Sequence, residues 1–262
     1  MDQKAPAIAL ALAITVAGAH AQALRVEPGK IVPFDAPLSA RARSLAALGK
    51  NPPATIARCA IAVPAGFTPA QPRPIFIVNA AQTASAVAAL GEYAGPTNDV
   101  GWIALAADAP VPARVESSEW CYAMILAAYD RLEPAWPGVR RWAVATGGFS
   151  GGSKRSAYIG ALLMEDRFSL IGLWLGGCNE ARPTDALKWH KPGPTFLRLP
   201  IFLASGTTDP IATPAQVEQV RVSLANSKFT KVRIATYEGA HSFDPQSLRT
   251  ALPWFVESAR TK

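Results

Sequence analysis

The chain has 262 residues, of which 50% are hydrophobic and 17% are charged, and its formal net charge is +7 at pH 7. This composition is typical of one globular domain with a sizeable core, and it argues against a largely disordered chain. The basic residues are scattered and form no run interleaved with aromatic residues, so nucleic-acid binding is not expected.

Residues 1–21 have the composition of a secretory signal peptide. Lys4 and the amino terminus supply positive charge, residues 7–17 form an apolar run, and Ala19-His20-Ala21 matches a small-x-small cleavage site. The apolar run is shorter than the ~20 residues that span a bilayer. We therefore expect a secreted or periplasmic protein with no membrane insertion of the mature chain, in which residues 22–262 form a single domain.

Downstream of a polar amino-terminal stretch, strand-like apolar runs alternate with helical patterns. The strand-like runs occupy residues 56–63, 75–78, 101–106, 141–146, 170–175, 200–205 and 231–236. The helical patterns occupy residues 84–90, 117–132 and 154–164, and two more helices begin near Thr213 and Asp244. Strands that alternate with helices predict an α/β fold with a mainly parallel central sheet and helices on both faces.

Two segments of this pattern are less regular. Pro253 lies inside the last helical pattern and is expected to kink or shorten that helix. Residues 179–199 are rich in proline, lysine and arginine and lack a clear period. They are expected to form either a cap or wall of a cleft, or an extended surface loop.

The pentapeptide Gly148-Phe149-Ser150-Gly151-Gly152 lies where a strand should end and a helix should begin. A serine on such a turn projects its hydroxyl beyond the sheet edge, and the glycines permit the sharp turn because they lack Cβ atoms. The motif indicates that Ser150 is a nucleophile. The alternative is a chance match in a glycine-rich loop.

A serine nucleophile needs a neighbouring base, which is usually a histidine. The chain has three histidines, and His20 belongs to the expected signal peptide. His241 directly follows the strand-like run at 231–236, whereas His190 lies in a polar stretch broken by proline. Catalytic groups usually lie on loops at strand ends, so His241 is the preferred base.

The third member of such a triad is a carboxylate between the serine and the histidine in the chain order. Asp209 follows the strand-like run at 200–205 and is the preferred acid, while Glu180 and Asp185 are its rivals. Asp209 could also simply cap a turn. Thr213 to Gln216 has the residues of a capping box, which places a helix just after the acid. Asp244 is expected to cap the last helix.

Other reactive residues form no recognisable site. The three cysteines, Cys59, Cys121 and Cys178, permit one disulfide in an exported protein, but the sequence does not decide which two would pair. No cysteine and histidine spacing matches a metal site, so neither a metal nor another cofactor is expected. Residues 147–154 resemble a P-loop only weakly, because Ser153 interrupts the required Gly-Lys pair.

The strand at 75–78, the elbow at 148–152, the acid loop at 206–210 and the histidine loop at 239–241 together resemble the α/β-hydrolase superfamily. The doubled glycine after Ser150 and the signal peptide look like those of secreted polyhydroxyalkanoate-depolymerase-like and feruloyl-esterase-like serine esterases. The resemblance implies that Ser150 attacks an ester, His241 moves its proton and Asp209 orients the imidazole. It also implies that the Gly151 amide donates to the oxyanion.

A second oxyanion donor is expected from the loop after residue 78. Many relatives have His-Gly there, whereas this chain has Asn79-Ala80-Ala81-Gln82, so the backbone of Ala81 or Gln82 is the candidate. Asn79 and Trp189 are the candidate substrate-binding residues. The expected substrate is a small or polymeric carboxylic ester. The alternatives are a serine peptidase of the same fold and a catalytically silent binding protein.

Overall fold

The computed structural model describes residues 24–48, 51–80, 85–109 and 117–260. The expected signal peptide over residues 1–21 lies outside the described residues, and so do Ala81 and Gln82. Within the described ranges the chain forms one eight-stranded sheet with helices packed on it.

The strands are β1 (Ile31–Pro37), β2 (Ile56–Ala62), β3 (Ile75–Val78), β4 (Ile103–Asp108), β5 (Ala143–Phe149), β6 (Ser169–Gly176), β7 (Ile201–Gly206) and β8 (Val232–Tyr237). Their order across the sheet is β1-β2-β4-β3-β5-β6-β7-β8. Strand β2 is antiparallel to both of its neighbours, and every neighbouring pair from β4 to β8 is parallel. The predicted mainly parallel sheet is therefore confirmed.

The helices are α1 (Ala40–Ala46), α2 (Ala86–Asp99), α3 (Ser118–Leu132), α4 (Gly151–Glu165), α5 (Arg182–Trp189), α6 (Pro214–Asn226) and α7 (Pro245–Arg260). Helices α2 and α7 pack against one face of the sheet, where Phe255 of α7 lies in one apolar cluster with Phe76 of β3 and Trp174 of β6. Helices α1, α3 and α4 pack on the opposite face, and α5 and α6 continue that layer toward β7. Burial on both faces explains why the central strands are continuous apolar runs.

This topology brings the predicted site to one edge of the sheet. Strands β5, β7 and β8 are parallel, so their carboxyl ends lie on the same side. Ser150 follows β5, Asp209 follows β7, and His241 follows β8. The open crevice outside the carboxyl ends of parallel strands is where sheets of this type bind ligands.

Three features of the fold differ from the predictions or resolve them. The polar amino-terminal stretch contains β1 and α1, which the sequence pattern did not predict. Pro253 is exposed and does not shorten α7, which continues to Arg260 because Leu252 and Phe255, on either side of the proline, pack inward. Residues 179–199 form α5 and a short 3₁₀ helix, Pro194–Arg198, rather than an irregular loop. No helix in the described ranges is long and apolar enough to span a bilayer.

Candidate active site

The turn between β5 and α4 holds Ser150 in a backbone conformation that residues other than glycine rarely adopt. Its φ is 54° and its ψ is −117°, so the residue is strained. The strained residue is held by its neighbours, because the Ser150 N–H donates to the Gly176 carbonyl at 2.8 Å. The Ser150 carbonyl in turn accepts from Ser153 Oγ at 2.6 Å. A fixed, sharp turn of this kind presents the serine side chain at the end of the strand.

The glycines of the motif are needed because the chain after β3 passes very close to this turn. A Cβ atom added at Gly148 would lie 2.1 Å from the Asn79 carbonyl oxygen, and one added at Gly152 would lie 2.0 Å from it. Only glycine fits at such distances. A Cβ at Gly151, by contrast, would meet nothing within 4 Å. The glycines at 148 and 152 therefore allow contact with the β3 end.

The structure brings Ser150 and His241 into direct hydrogen-bonding distance. The Ser150 Oγ lies 2.9 Å from His241 Nε2. The imidazole packs against the Phe149 ring, with 4.7 Å between the ring centroids. The histidine loop is tied back to β8 by Tyr237, whose hydroxyl donates to the Ser242 carbonyl. These contacts hold the imidazole over the serine rather than leaving it in solvent.

Asp209 lies on the other side of the imidazole. Its Oδ2 is 2.7 Å from His241 Nδ1, and its Oδ1 accepts from the Ile211 and Ala212 amides at 2.8 Å each. Burial by itself raises the pKa of this carboxyl. The hydrogen bonds from Ala212, His241 and Ile211 outweigh burial, so the pKa lies below its usual value. Asp209 is thus held ionised although it is only 2% exposed.

The two contacts fix the imidazole tautomer. An ionised carboxylate only accepts hydrogen bonds, so Nδ1 of His241 carries a hydrogen and donates it to Asp209. In the neutral ring Nε2 is then an acceptor that faces the Ser150 hydroxyl. This arrangement can take a proton from the serine and stabilise the imidazolium that forms.

The rival residues have other partners. Glu180 forms ion pairs with Lys154 and Arg182, and Asp185 pairs with Arg182 and Lys188. These contacts lie along α4 and α5 rather than at the imidazole of His241.

Two further side chains of the sequence analysis are also placed. His190 follows α5, and its Nδ1 lies 3.8 Å from Glu165 Oε1. Asp244 accepts from the Ser247 amide at 2.7 Å and caps α7 as predicted. Neither residue forms a hydrogen bond with Ser150, Asp209 or His241 in the described contacts.

The residues proposed to bind the oxyanion are described only in part. Gly151 is the first residue of α4 and is exposed, so its amide lies next to the serine at a helix amino terminus. Ala81 and Gln82 lie outside the described residues. Asn79 is described, and the structure does not agree with a substrate-binding side chain there. The residue is only 4% exposed, and its amide nitrogen donates to Thr146 and Ser156 inside the fold.

A cavity of about 780 Å³ opens beside Gly151. One wall is the exposed face of α4, where Gly151, Lys154 and Tyr158 recur at helical spacing. Trp189, at the end of α5, lines the cavity and is 77% exposed. Three residues of the segment at 179–199, Arg182, Trp189 and His190, line this cavity. Most of the other lining residues are polar: Ser117, Ser118, Glu119, Arg155, Arg182 and His190.

Sequence reasoning missed several residues that support the site. Thr146, Ser156 and Arg155 bind the end of β3, and Tyr237 fixes the histidine loop. Ser156 and Arg155 lie in α4 a turn or more after Ser150, and only that proximity in the sequence could have indicated them. No group of three metal-binding side chains occurs in the parts of the chain that the structure describes.

No protein-family model and no curated protein sequence matches the chain. Solved structures with the same fold do exist. An acylaminoacyl peptidase from Pyrococcus horikoshii has a TM-score of 0.56 and 11% identity, and the match covers 89% of this chain and 42% of that one. Est1E from Butyrivibrio proteoclasticus has a TM-score of 0.53 and 12% identity, with 79% and 96% covered.

A thermophilic esterase from the planctomycete Thermogutta terrifontis, Est2, has a TM-score of 0.50 and 18% identity, and the match covers 77% of this chain and 89% of that one. At identities this low, the similarity is one of architecture. The described part of this chain supplies a mainly parallel eight-stranded sheet with helices on both faces. The chain therefore has the α/β-hydrolase fold.

Proposed function

We propose that this protein is a serine hydrolase that cleaves carboxylic esters through an acyl-enzyme intermediate. The observation that carries the proposal is the pair of hydrogen bonds, 2.9 Å and 2.7 Å long, that connect Ser150 to His241 and His241 to Asp209. Ser150 and His241 are 91 positions apart along the chain, and Asp209 and His241 are 32 positions apart. Their contact therefore does not follow from closeness in the sequence. Several solved structures of the same fold are esterases, which supports ester hydrolysis.

The first half of the reaction forms the acyl-enzyme. Ser150 Oγ attacks the ester carbonyl carbon while His241 Nε2 takes the hydroxyl proton. The carbonyl oxygen becomes an oxyanion, which accepts from the Gly151 amide and from a second amide that we assign to Ala81 or Gln82. The intermediate collapses when the bond to the alcohol oxygen breaks, and the imidazolium gives its proton to the departing alcohol.

The second half regenerates the serine. A water molecule gives a proton to His241 Nε2 and attacks the acyl carbon, and the new intermediate expels Ser150 Oγ, which recovers the proton. The carboxylic acid is released. Asp209 stays ionised throughout because its hydrogen bonds lower its pKa, and it stabilises the imidazolium in both steps.

The cavity lining supports an ester that carries a polar group. Seven of the eleven lining residues that the structure describes are serine, glutamate, lysine, arginine or histidine, and a long aliphatic chain would displace water from these polar groups without replacing its hydrogen bonds. Trp189 offers an exposed ring on which a flat or ring-shaped part of the substrate can lie. The replacement Trp189→Ala should raise KM for such esters several-fold and leave turnover of ethyl acetate, which has no ring, close to that of the wild type.

The central test is turnover of short-chain p-nitrophenyl esters and labelling by a fluorophosphonate probe, with Ser150→Ala as the comparison. We expect the wild type to hydrolyse the esters and to be labelled, and the variant to lose both. A catalytically silent binding protein would show neither in the wild type. Ester hydrolysis that survives in Ser150→Ala at the wild-type rate would refute the assignment.

A serine peptidase of the same fold is the remaining enzymatic alternative, since one of the similar structures is an acylaminoacyl peptidase. The present chain spans less than half of that protein. Amide substrates matched in acyl group to the p-nitrophenyl esters separate the two activities. Higher kcat/KM for the amide than for the matched ester would favour the peptidase.

We also propose that the protein is exported, on the composition of residues 1–21 alone. Amino-terminal sequencing of the protein isolated from culture medium and cell fractions tests this. A mature chain that begins at Gln22 outside the cytoplasm is the expected result, and an intact amino terminus in the cytoplasmic fraction would contradict it.

A further inference from the structure

The end of β3 is fixed by a buried polar network that the proposed chemistry does not use. Asn79 is 4% exposed, and its side-chain nitrogen lies 2.7 Å from Thr146 Oγ1 and 2.8 Å from Ser156 Oγ. Its backbone N–H donates to the Gly147 carbonyl at 2.8 Å. The network joins the residue after β3 to β5 and α4, through partners 67 and 77 positions later in the chain. A buried polar network is stabilising only when all its members are satisfied.

The direction of each hydrogen bond shows why asparagine is required. Thr146 Oγ1 donates to the Ile77 carbonyl at 3.2 Å, and Ser156 Oγ donates to the Gly152 carbonyl at 2.7 Å. Each hydroxyl has one hydrogen, so both hydroxyl oxygens must act as acceptors toward Asn79. A primary amide supplies two hydrogens from one nitrogen and satisfies both. Aspartate has the same shape but, when ionised, has no donor.

Asn79 and Ala80, the two residues directly after β3, are held against the start of α4. The Asn79 carbonyl oxygen is so close to both glycines that a Cβ atom added at Gly148 would lie 2.1 Å from it, and one added at Gly152 would lie 2.0 Å from it. The next carbonyl, that of Ala80, accepts from Arg155 Nη1 at 2.6 Å, and Arg155 is only 8% exposed. Residues 79 and 80 are thus fixed relative to the helix that begins directly after Ser150.

We propose that Asn79 is a positioning residue for the turn that carries Ser150. Its contacts hold the chain after β3 against Gly148 and Gly152, on either side of the nucleophile, and so fix Ser150 and the Gly151 amide at the start of α4. Amides that donate to an oxyanion act at 2.7–3.1 Å, and a displacement of about 1 Å can cost about a hundredfold in rate. This inference rests on the proposed function, because it assigns a support to the nucleophile of that same site.

The test compares Asn79→Ala and Asn79→Asp with a matched control, Asn98→Ala. The Asn98 amide also makes two hydrogen bonds, to the Ala62 carbonyl at 3.2 Å and the Trp102 carbonyl at 2.9 Å, at the opposite end of β4 from the site. With p-nitrophenyl esters we expect each Asn79 variant to lose about tenfold or more in kcat with KM changed by less than about threefold. We expect Asn98→Ala to keep the wild-type kcat.

A second readout separates positioning from folding. A trifluoromethyl ketone bonds to the serine oxygen and forms an oxyanion in the same place as the reaction does, so its affinity should fall in the same ratio as kcat/KM. Ser156→Ala removes only one acceptor, should lower kcat less, and serves where Asn79→Ala does not fold. Because Asn79 and Ser156 belong to one network, the loss of kcat in the double variant should be smaller than the product of the losses in the two single variants.

The outcomes decide between a support for catalysis and a support for the fold alone. If kcat and inhibitor affinity in the Asn79 variants fall no further than in Asn98→Ala, and Ser156→Ala is also unaffected, the positioning role is refuted. That result would leave the proposed function intact as long as Ser150→Ala is inactive. An active Ser150→Ala would instead refute the proposed function itself.

Discussion

A methyl group at Gly152 is the sharpest available perturbation of the turn that carries Ser150. The new Cβ would lie 2.0 Å from the Asn79 carbonyl oxygen, 3.0 Å from its carbonyl carbon and 3.3 Å from the Ala80 carbonyl carbon. Ordinary contact begins at 3.4 Å, so the nearest pair must separate by more than an ångström. Both opposing atoms of Asn79 belong to the backbone, which cannot rotate away as a flexible side chain does.

The expected magnitude follows from what must move. Overpacking in a well-packed interior costs about 1–3 kcal/mol, and here the backbone that must give way is also hydrogen bonded through the Asn79 N–H and side chain. We therefore expect Gly152→Ala to lower the free energy of unfolding by about 3 kcal/mol. A shift of about 1 Å beside Ser150 should also lower kcat/KM by about a hundredfold.

The adjacent glycine provides the stability control. A Cβ at Gly151 would meet nothing within 4 Å, and the residue opens a helix, so Gly151→Ala should leave the free energy of unfolding within about 1 kcal/mol of the wild type. Urea unfolding at pH 7 measures both variants, and p-nitrophenyl acetate hydrolysis measures the activity of Gly152→Ala. A Gly152→Ala protein with wild-type stability and activity would show that β3 and the turn are not in contact as described.

Three further predictions concern ionisation. Asp209→Asn should lower kcat for p-nitrophenyl acetate by about 10,000-fold at pH 7, because an amide no longer selects the productive imidazole tautomer; a loss below about tenfold would contradict the role of Asp209. The pKa of Asp209 is lowered in the folded state, so its contribution to stability is present above its ordinary pKa of about 3.9 and is lost as the pH falls through its folded-state value. Urea unfolding from pH 7 to pH 3 should show the stability advantage of the wild type over Asp209→Asn shrinking on acidification, and an advantage that grows would be inconsistent with this sign. Burial raises the pKa of the Cys59 and Cys178 thiols, so mass spectrometry should find both unmodified by maleimide until the protein is unfolded, and rapid labelling of either in the native state would refute that burial.

The parts of the fold that the sequence predicted have strong local signals. Strands β3 to β8 are short apolar runs separated by helical patterns, and Thr213 forms the predicted capping box with Gln216. The alternation alone indicates a parallel sheet, whose carboxyl ends lie together. Ser150, Asp209 and His241 could be selected because each follows a different strand of that sheet.

The parts that were missed depend on contacts between distant segments. Strand β1 contains Pro33 and Pro37, which weaken any strand pattern, and it forms only by pairing with β2 at the edge of the sheet. Helix α2 continues well past residue 90 although it contains Gly91, Gly95 and Pro96, because its apolar residues pack on the sheet. Local propensity is overridden by packing in both elements.

The hydrogen-bond network of Asn79 could not be predicted from the sequence for the same reason. Asn79 contacts residues 67 and 77 positions later in the chain, and nothing in the local sequence pairs them. From the sequence alone, Asn79 is a candidate substrate-binding residue. The structure shows that the side chain turns inward, where it donates to Thr146 and Ser156.

Strain at Ser150 gives a last prediction, which separates the backbone of the turn from its chemistry. The angles φ 54° and ψ −117° lie in a region that glycine tolerates and that other residues adopt only at a cost of about 1–3 kcal/mol. Ser150→Gly and Ser150→Ala both remove the proposed nucleophile, so their difference reports the backbone alone. We expect Ser150→Gly to be the more stable by roughly 1–2 kcal/mol in urea unfolding, after the entropy that glycine adds to the unfolded chain. If Ser150→Ala is equally stable, the turn is not strained and the geometry on which the proposed chemistry depends is wrong.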